Sequence, residues 1–413
     1  MNVLVSPDEQ YEILAEGAEE ILPEGELWSR LRAYAHDRRP LRVKQGFDPT
    51  APDIHLGHTV GLRKLRQFQD LGHQVVLIVG DYTARVGDPS GRNSTRPQLE
   101  AEEVERNAAT YLDQFYRVLD PKPAPPRLAV EVHRNGEWFS RMSFVDVIRL
   151  ASRYTVSQML EREDFHSRFQ AEAPIAVHEL LYPLMQGYDS VEIRADVELG
   201  ATEQKFNLLV GREMQRLHGQ SPQIVLTLPV LPGLDGVRRM SKSLGNYVGV
   251  TEAAGEMFGK LMSIPDDVMP LYLRLVTDLA VSERQRIERD LREARAHPME
   301  VKKSLAARIV GMYHGSEAAE RSRRDFETQF SRGGVPEDLP RWRPPRDGDM
   351  GIKDLLVRSG LARSGSDAWR HVDQGAVSID GVKITDRNHR QSLAAPFVLR
   401  LGRRMLQVVP GGD

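Results

Sequence analysis

The sequence of 413 residues contains no cysteine. A disulfide framework and any thiolate-bound zinc or iron–sulfur site are therefore excluded. The sequence also lacks an apolar run long enough to span a membrane. Its first residues, MNVLVSPDEQYEIL, have neither the basic stretch nor the apolar core of a signal peptide. We therefore expect a globular, cytoplasmic protein without a membrane partner.

Charge of either sign is not in excess, since the formal net charge is only −3. The distribution is uneven, however. Residues 351–413 carry ten Lys or Arg and six Asp, whereas the rest of the chain carries 46 basic and 53 acidic residues. This asymmetry predicts a separate basic domain at the C-terminal end.

Length and hydrophobic patterning predict two or three domains. A strand at 40–47, a helix at 59–73 and a buried strand at 74–81 form one strand–helix–strand unit. We also expect helices at 9–38 and 98–119 and strands at 191–199 and 223–231. Alternation of strands and helices to about residue 245 predicts an α/β fold with a doubly wound parallel sheet, whose ligands bind at the carboxyl ends of the strands.

The run GFDPTAPDIHLGH places His55 and His58 where the first helix of this unit begins. Two such histidines could cap a helix or pack in a core. A metal site would need a third ligand, which is missing at helical or loop spacing. Alternatively, the imidazoles add hydrogen-bond donors to a helix N-terminus that already favours phosphate. Gly57 between them would permit close approach of a ligand.

A second motif, RRMSKSLGN, spans Arg238 to Asn246. Alone it reads equally well as an exposed basic loop. Together with the two histidines of a predicted α/β sheet, it favours a cationic loop that holds a triphosphate. Such a loop would stabilise charge that moves onto departing pyrophosphate.

These two motifs resemble the signatures of a known enzyme family. HLGH resembles the HIGH signature and RMSKS the KMSKS signature of class I aminoacyl-tRNA synthetases. GFDPTAPDIHLGH, GDPSGR, LLYPLMQGYDS, GATEQKFNLLVGRE and RMSKSLGNY resemble the tyrosyl-tRNA synthetase family, and the match covers nearly the whole chain. The resemblance implies that L-tyrosine reacts with ATP to give tyrosyl-adenylate, and that the tyrosyl group then passes to the terminal adenosine of tRNA(Tyr). It also implies Mg²⁺ bound with ATP.

The resemblance assigns a role to each matching residue. The residues with a catalytic role would be Thr50, His55, His58, Arg239, Lys242 and Ser243. ATP would be bound by Gly57, Glu203, Met240 and Lys242. The site for tyrosine would be formed by Asp48, Asp88, Tyr182, Gln186, Asp189 and Gln204.

Selection of tyrosine rests on the run LLYPLMQGYDS. On a helix, Tyr182, Gln186 and Asp189 share one face, which could also be a plain polar surface stripe. The resemblance implies that Asp189 accepts the hydrogen bond of the substrate phenol. It implies that Gln186 and Tyr182, with Asp88, hold the ammonium group.

The sequence departs from the family pattern at several positions. Lys44 stands where many members have a tyrosine that shares recognition of the phenol, so Asp189 could act alone. Arg239 replaces the leading lysine of the KMSKS signature. The positive charge is kept, but the ammonium group is replaced by a planar guanidinium with forked donors. GATEQ, with Ala201 and Glu203, replaces the GGTDQ or GSDQ of the family. The carboxylate of Glu203, which would accept from the ribose hydroxyls, is therefore one methylene further from the backbone than that of an aspartate.

The domains predicted on this basis are a Rossmann-like catalytic domain at 1–245, a helical anticodon-binding domain at 246–345 and a small RNA-binding domain at 350–413. The last would contact folded RNA through its phosphates. Its candidate contacts are Arg358, Arg363, Arg370, Lys383 and Arg387. By resemblance we also expect a homodimer whose interface lies in residues 120–185.

Three other functions fit parts of the pattern. The tryptophan enzyme shares the fold, but Asp189 and the basic tail speak against it. A small-molecule nucleotidylyltransferase also uses HIGH-like histidines, yet it needs no helical and basic C-terminal domains. A non-catalytic RNA-binding protein would have no need to retain His55, His58 and Lys242.

Overall fold

The computed structural model describes residues 5–89, 99–331, 339–345, 348–402 and 404–410. The chain divides into two compact units, residues 1–313 and residues 314–413. This division falls inside residues 246–345, which were predicted as one helical domain. Because two compact units do not test three domains, the three domain boundaries remain predictions. Within the described ranges, no helix is long and apolar enough to cross a membrane.

A six-stranded sheet forms the centre of the first unit, in the order β1-β6-β5-β2-β3-β4. Its strands are β1 Glu20–Leu22, β2 Arg42–Phe47, β3 Gln74–Val79, β4 Glu131–Arg134, β5 Val197–Ala201 and β6 Ile224–Leu228. Strands β2 to β6 pair in parallel, and β1 joins β6 antiparallel at the edge. The order runs outward from β2 and β5 in opposite directions, which confirms the predicted doubly wound sheet.

Helices connect these strands and continue beyond the sheet. They are α1 Pro7–Ala15, α2 Glu26–Asp37, α3 Leu56–Asp70, α4 Thr83–Val86, α5 Ala101–Ala108, α6 Tyr111–Phe115, α7 Gly136–Phe139, α8 Phe144–Ala151, α9 Val156–Met159, α10 Glu163–Gln170, α11 Tyr182–Ile193, α12 Lys205–Leu217, α13 Ala254–Met262, α14 Met269–Val276, α15 Val281–Arg292 and α16 Pro298–His314.

The unit β2-α3-β3 agrees with the prediction. Leu62, Leu65 and Phe68 of α3 are fully buried, as are Val75 and neighbouring residues of β3. Helix and strand therefore share one apolar core, which is the main source of their stability. Gly72 follows the end of α3 with a φ of +88°, a conformation that favours glycine.

The single helix predicted over 9–38 is wrong, because β1 interrupts it. Gly17 and Gly25 have φ of +74° and +76° and reverse the chain on either side of this strand. Residues 20–22 pair with β6 instead of continuing the helix.

The long helix predicted over 98–119 is also wrong, since α5 ends at Ala108 and α6 begins at Tyr111. The break turns polar side chains towards the loop 49–54. Asn107 Nδ2 donates to the carbonyl oxygen of Pro49 at 3.0 Å, and Gln114 Nε2 donates to that of Pro52 at 2.8 Å. These tertiary hydrogen bonds outweigh continuation of the helix, and they hold the loop that leads to His55.

The strand predicted over 191–199 begins later than expected. Helix α11 runs to Ile193, Arg194 takes a φ of +51°, and β5 begins at Val197. Strand β4 was not predicted, because Glu131–Arg134 is half-buried and lacks an apolar run.

The second unit contains α17 Ser316–Ser331, α18 Ile352–Arg358 and α19 Gly365–Asp373. Its strands are β7 Arg341–Trp342, β8 Asp349–Gly351, β9 Val377–Ile379, β10 Val382–Ile384, β11 Arg390–Ser392, β12 Phe397–Leu401 and β13 Arg404–Val408. They form a sheet in the order β10-β9-β12-β13-β7 and a separate pair β11-β8. The predicted hairpin is confirmed, with Asp380 and Gly381 at φ of +46° and +82°.

We expect Gly72→Ala to lower the free energy of unfolding by about 1–2 kcal/mol, because alanine is strained at positive φ. Its Cβ would also lie 3.0 Å from the hydroxyl of Tyr34. The matched control is Gly259→Ala in α13, where the new Cβ would have no atom within 4 Å apart from its chain neighbours and the backbone of its own helix. There we expect a gain of about 0.5–1 kcal/mol. Urea unfolding followed by circular dichroism measures the free energy of unfolding of both variants. Equal changes in the two variants would contradict the role assigned to the positive φ of Gly72.

Candidate active site

Strands β2 and β5 are neighbours in the sheet, and the strand order reverses between them. A cavity of about 520 Å³ opens at their carboxyl ends, where sheets of this kind bind ligands. It brings together most of the predicted residues, namely Asp48, Thr50, His55, Gly57, His58, Asp88, Tyr182, Glu203, Gln204, Arg239, Met240, Lys242 and Ser243. The side chains of Gln186 and Asp189 are not part of its lining.

His55 precedes the first turn of α3, and His58 lies within that turn. Their ring centroids are 3.8 Å apart. The backbone N–H of His55 donates to Nδ1 of His58 over 3.2 Å. In a neutral His58 ring, the proton is therefore on Nε2, which remains a donor.

Both rings are neutral at pH 7. Burial and the positive charge of Lys242 lower the pKa of His58 to about 4. Burial, then His58 and Lys242, lower the pKa of His55 to about 2. Each ring can therefore offer one neutral N–H donor to phosphate oxygens beside the positive end of the helix dipole.

Gly57 brings the basic loop close to this helix terminus. A Cβ at Gly57 would lie 3.0 Å from Cε1 of His55 and 3.5 Å from Cβ of Met240. The backbone N–H of the buried Met240 donates to the carbonyl oxygen of Leu231 at 2.9 Å. A larger residue at 57 would push these two segments apart.

The loop from Pro232 to Asn246 is ordered by its own side chains. Asn246 accepts from the backbone N–H of Ser241 at 2.9 Å and donates to Asp235 and to the carbonyl oxygen of Arg239, both at 3.1 Å. Ser243 and Ser241 share a hydrogen bond of 2.9 Å between their hydroxyls. The loop is therefore a defined turn that directs its cations towards the cavity.

Each of its two cavity cations contacts a carboxylate. Lys242 Nζ donates to the carbonyl oxygen of Asp53 and lies 3.7 Å from its Oδ2. Burial lowers the pKa of Lys242, although Asp53 opposes this shift. Arg239 pairs with Glu203 at 2.8 Å. Arg239 and Glu203, which both depart from the family pattern, are therefore in direct contact.

Asp48 stands at the end of β2 under several donors. The hydroxyl of Tyr182 donates to its Oδ2 at 2.9 Å, and the hydroxyl of Thr83 donates to its Oδ1 at 2.7 Å. Gly80 makes room for this carboxylate, since a Cβ there would lie 2.1 Å from Oδ1. Thr50 is exposed at the rim of the cavity, and its backbone N–H donates to the carbonyl oxygen of Asp48 at 2.8 Å.

Asp88 and Gln204 meet on another side of the cavity. Gln204 Nε2 donates to Asp88 Oδ2 at 3.3 Å, and Gln204 Oε1 accepts from the backbone N–H of Ala201 at 3.1 Å. Arg162 also contacts Asp88, at 3.5 Å. The rest of the GDPSGR run, from residue 90, lies outside the described residues.

Asp189 is buried on α11, the helix that also carries Tyr182 and Gln186, so it does not belong to a polar surface stripe. Trp138 Nε1 donates to its Oδ1 at 2.9 Å, and Asn135 Nδ2 donates to its Oδ2 at 3.3 Å. Burial raises the pKa of Asp189 to about 7, while Lys44 and these hydrogen bonds act in the opposite direction. Asp189 is thus an acceptor held between two neutral donors.

Gln186 and Lys44 meet in a buried polar network below the cavity. Gln186 Nε2 donates to Glu198 at 3.0 Å, and its Oε1 accepts from Asn207 at 2.8 Å. Lys44 Nζ lies 2.9 Å from Glu198 Oε1, and neither side chain is exposed. The lysine at this departure therefore forms an ion pair inside the protein.

Sequence reasoning missed the partners of the predicted residues. Asn135 and Trp138 follow the unpredicted β4, Glu198 was read only as part of a strand, and Asp53 was left unassigned in the loop before His55. A usable signal existed for Asn135, because a polar residue directly after a strand of a parallel sheet lies at the edge that binds ligands. The contact between Lys242 and Asp53 spans 189 residues, and no local pattern could indicate it.

Metal ligation finds no support in the described part of the chain, where no group of three or more His, Cys, Asp or Glu side chains could hold a metal ion. The metal alternative for His55 and His58 therefore gains nothing from the geometry, while the position of His55 before α3 agrees in part with the capping alternative.

Comparison with solved structures supports the fold. The chain resembles the C-terminally truncated mitochondrial tyrosyl-tRNA synthetase of Aspergillus nidulans with a TM-score of 0.64 and 21% identity, over 79% of this chain and 94% of that one. It also resembles the tyrosyl-tRNA synthetase of Archaeoglobus fulgidus complexed with L-tyrosine, with a TM-score of 0.61 and 22% identity, over 77% and 99% of the two chains.

Sequence comparison is more specific. The family model for tRNA synthetases class I (W and Y) matches residues 36–331. The tyrosine–tRNA ligase of Moorella thermoacetica is 49% identical over 96% of this chain and 94% of its own. That of Thermotoga maritima is 48% identical over 99% of both. Relatives of this identity over nearly the whole length favour the tyrosine enzyme over the alternatives raised by the sequence. The chain therefore belongs to the tyrosine–tRNA ligases of class I.

Proposed function

We propose that the cavity at the ends of β2 and β5 is where this tyrosine–tRNA ligase activates tyrosine with ATP to give tyrosyl-adenylate and pyrophosphate. A carboxylate oxygen of tyrosine attacks the α-phosphorus, the bond from that phosphorus to the bridging oxygen breaks, and pyrophosphate leaves with the electron pair. In the second step a ribose hydroxyl of the terminal adenosine of tRNA takes the tyrosyl group, and AMP leaves. The observation that carries the site assignment is the pair of neutral histidines opposite Lys242 and Arg239.

Catalysis in this proposal is electrostatic. The substrate carboxylate is already a nucleophile, so no general base is required. His55 and His58 donate to phosphate oxygens as the transition state gathers charge. Thr50 faces the phosphates from the same side as the two histidines, whereas Lys242 and Arg239, with Ser243, meet the departing pyrophosphate from the other side.

The cationic loop changes partners in this scheme. Lys242 leaves Asp53, and Arg239 leaves Glu203, when the phosphates offer a stronger negative charge. The carboxylate of Glu203 then becomes available to the ribose hydroxyls of ATP, beside Gly57 and Met240. Exchange of one ion pair for another keeps the cost of each charge small.

Magnesium enters this proposal only with ATP. Two of the acids that line the cavity, Asp53 and Glu203, are paired with Lys242 and Arg239, and the described residues hold no group of three or more possible metal ligands. If Mg²⁺ is bound, phosphate oxygens and water are its natural ligands. No step of the proposed mechanism is routed through it.

Tyrosine is selected in this proposal by Asp189. With Asn135 and Trp138 already donating, the carboxylate still has acceptor capacity for the phenol hydroxyl. Phenylalanine would leave a buried acceptor without that hydrogen bond, which costs more than a lost apolar contact. Asp88, Gln204, Tyr182 and Gln186 would hold the ammonium group, and Asp48 would shape the site shared with ATP.

The partner in the second step is tRNA(Tyr), held in part by the second unit. The five basic residues predicted there are all exposed. Arg370 and Arg387 pair with Asp367 and Asp373 on the surface, where such pairs contribute little and are readily exchanged for RNA phosphates.

A homodimer completes the proposal. Fourteen large apolar side chains of the described residues are exposed, and six of them lie within 120–185. They are Phe144, Val145, Ile148, Val156, Phe169 and Val177. A concentration of exposed apolar residues in one segment is typical of a protein interface.

The reaction is tested by exchange of labelled pyrophosphate into ATP with tyrosine, phenylalanine or tryptophan. We expect exchange with tyrosine alone in the wild type, and loss of exchange or relaxation towards phenylalanine in Asp189→Ala. Asp196→Ala is a matched control, because Asp196 is also buried but lies at the amino end of β5. Exchange with tryptophan would place the chain in the sister enzyme, and no exchange would contradict the proposal.

We expect His58→Ala to slow adenylate formation by about 10²–10³-fold while tyrosine binding changes less than about twofold, because the ring acts mainly in the transition state. Stopped-flow fluorescence measures the rate and equilibrium dialysis the affinity. The exposed His36, at the end of α2, supplies the control His36→Ala. Losses of similar size in rate and affinity would remove the assigned role.

We expect Phe144→Asp to shift the protein towards monomer in sedimentation velocity at micromolar concentration. Phe144 is 78% exposed and opens α8, so aspartate there is compatible with the helix. Val281→Asp is the matched control, since Val281 opens α15, is 37% exposed and lies outside the segment. A wild type that sediments only as monomer would overturn the dimer.

A further inference from the structure

The ion pair between Lys44 and Glu198 joins the two strands at which the strand order reverses. Lys44 of β2 and Glu198 of β5 are opposite each other in the parallel register. Lys44 Nζ contacts Glu198 at 2.9 Å, the carbonyl oxygen of Gln186 at 2.8 Å and the hydroxyl of Ser190 at 2.8 Å. These three contacts use the whole donor capacity of the ammonium group.

Glu198 contacts the same two residues of α11 as Lys44 does. Its carboxylate accepts from Gln186 Nε2 at 3.0 Å and from Ser190 at 3.0 Å. Gln223 also donates to it. Gly211 of α12 leaves the space for this carboxylate, since a Cβ there would lie 3.1 Å from Glu198 Oε2.

Gln186 is thereby fixed at two points, through its backbone carbonyl by Lys44 and through its side-chain amide by Glu198. Tyr182 and Asp189 lie one turn before and one turn after it on α11. A constraint on Gln186 is therefore a constraint on the rotation of the helix that presents all three side chains.

A buried ion pair of this kind adds little to the net stability of the fold. The desolvation of two fully buried charges cancels most of their attraction, and well-packed apolar residues often do as well. Two apolar residues could not, however, supply the directional hydrogen bonds that Lys44 and Glu198 make to α11.

We propose that Lys44 and Glu198 are positioning residues for tyrosine recognition, which hold α11 so that Tyr182, Gln186 and Asp189 face the substrate. The inference rests on the proposed function of the cavity. It gives Lys44 a role in selection of the amino acid without any contact with the phenol.

The two charges also act on Asp189 in opposite directions, and this separates the proposal from a purely structural role. The groups that face Asp189 are the neutral Asn135 and Trp138 after β4, Lys44 on β2 and Glu198 on β5. Lys44 lowers the pKa of Asp189 and Glu198 raises it. Since the ionised form accepts the phenol hydrogen bond, loss of Lys44 moves the acid limb of kcat/KM for tyrosine to higher pH. Loss of the Glu198 charge moves this limb to lower pH.

The test is the pyrophosphate exchange assay from pH 5.5 to 8.5 on the wild type, Lys44→Met, Glu198→Gln and the double variant. We expect Lys44→Met to raise KM for tyrosine by about tenfold or more while KM for ATP changes less than about twofold, because hydrogen bonds to a charged group are lost at α11. The acid limbs of the two single variants should move in opposite directions. The double variant should recover thermal stability, because no buried charge is left alone, but not the KM for tyrosine.

Lys64→Met is the matched control. Lys64 is a buried lysine of α3 that donates to the carbonyl oxygens of Leu14 and Glu16, away from the cavity. It should lower the melting temperature and leave both KM values and the acid limb in place.

Two results would overturn the inference. One is a double variant that recovers KM for tyrosine together with stability. The other is a set of single variants whose acid limbs stay at the wild-type position. If Lys44→Met does not fold, Glu198→Gln and the double variant still decide the question. Absence of tyrosine-dependent exchange in the wild type would instead contradict the proposed function, so the two failures are distinguishable.

Discussion

The parallel pairing of β2 with β5 is the constraint on which the rest of the site depends. These strands are distant in the chain, and the strand order reverses where they meet. The crevice at their carboxyl ends is therefore a consequence of topology. Asp48 and His55 reach it from the end of β2, and Glu203 and Gln204 reach it from the end of β5. The buried contact between Lys44 and Glu198 spans the same junction.

Two electrostatic environments carry the proposed recognition of the two substrates. In the crevice, burial keeps the imidazoles of His55 and His58 neutral beside a helix terminus, opposite the cations Lys242 and Arg239. In our proposal these groups meet anionic phosphates, because donors and positive charge converge where negative charge would develop. Asp189 lies outside the lining of the crevice, as a buried carboxylate between the neutral donors Asn135 and Trp138. In the proposal it accepts the hydrogen bond of the phenol hydroxyl.

Prediction from sequence succeeded where a motif is local. Helix α3 and the stripe on α11 follow from periodicity, and the two signatures indicated which side chains would meet. It failed where tertiary contacts override local preference. The segments 9–38 and 98–119 read as continuous helices, yet pairing with β6 and hydrogen bonds to the loop 49–54 interrupt them. Strand β4 escaped notice because its half-buried residues carry no apolar pattern, and Asn135 and Trp138 were missed with it.

The sequence alone determined the family and the reaction class through the resemblance of its short motifs, and the same motifs named most of the residues that line the cavity, because a motif keeps its residue types at fixed local spacings. Their partners were decided only by the tertiary structure. Asp53 meets Lys242, Glu203 meets Arg239, and Glu198 meets Lys44, each across a separation that no local pattern encodes. The physical reason is that the pKa of a group and the direction of a hydrogen bond depend on what folding places beside it. A lysine that reads as a mere departure from a pattern becomes, once buried against a glutamate, part of the framework that holds the site.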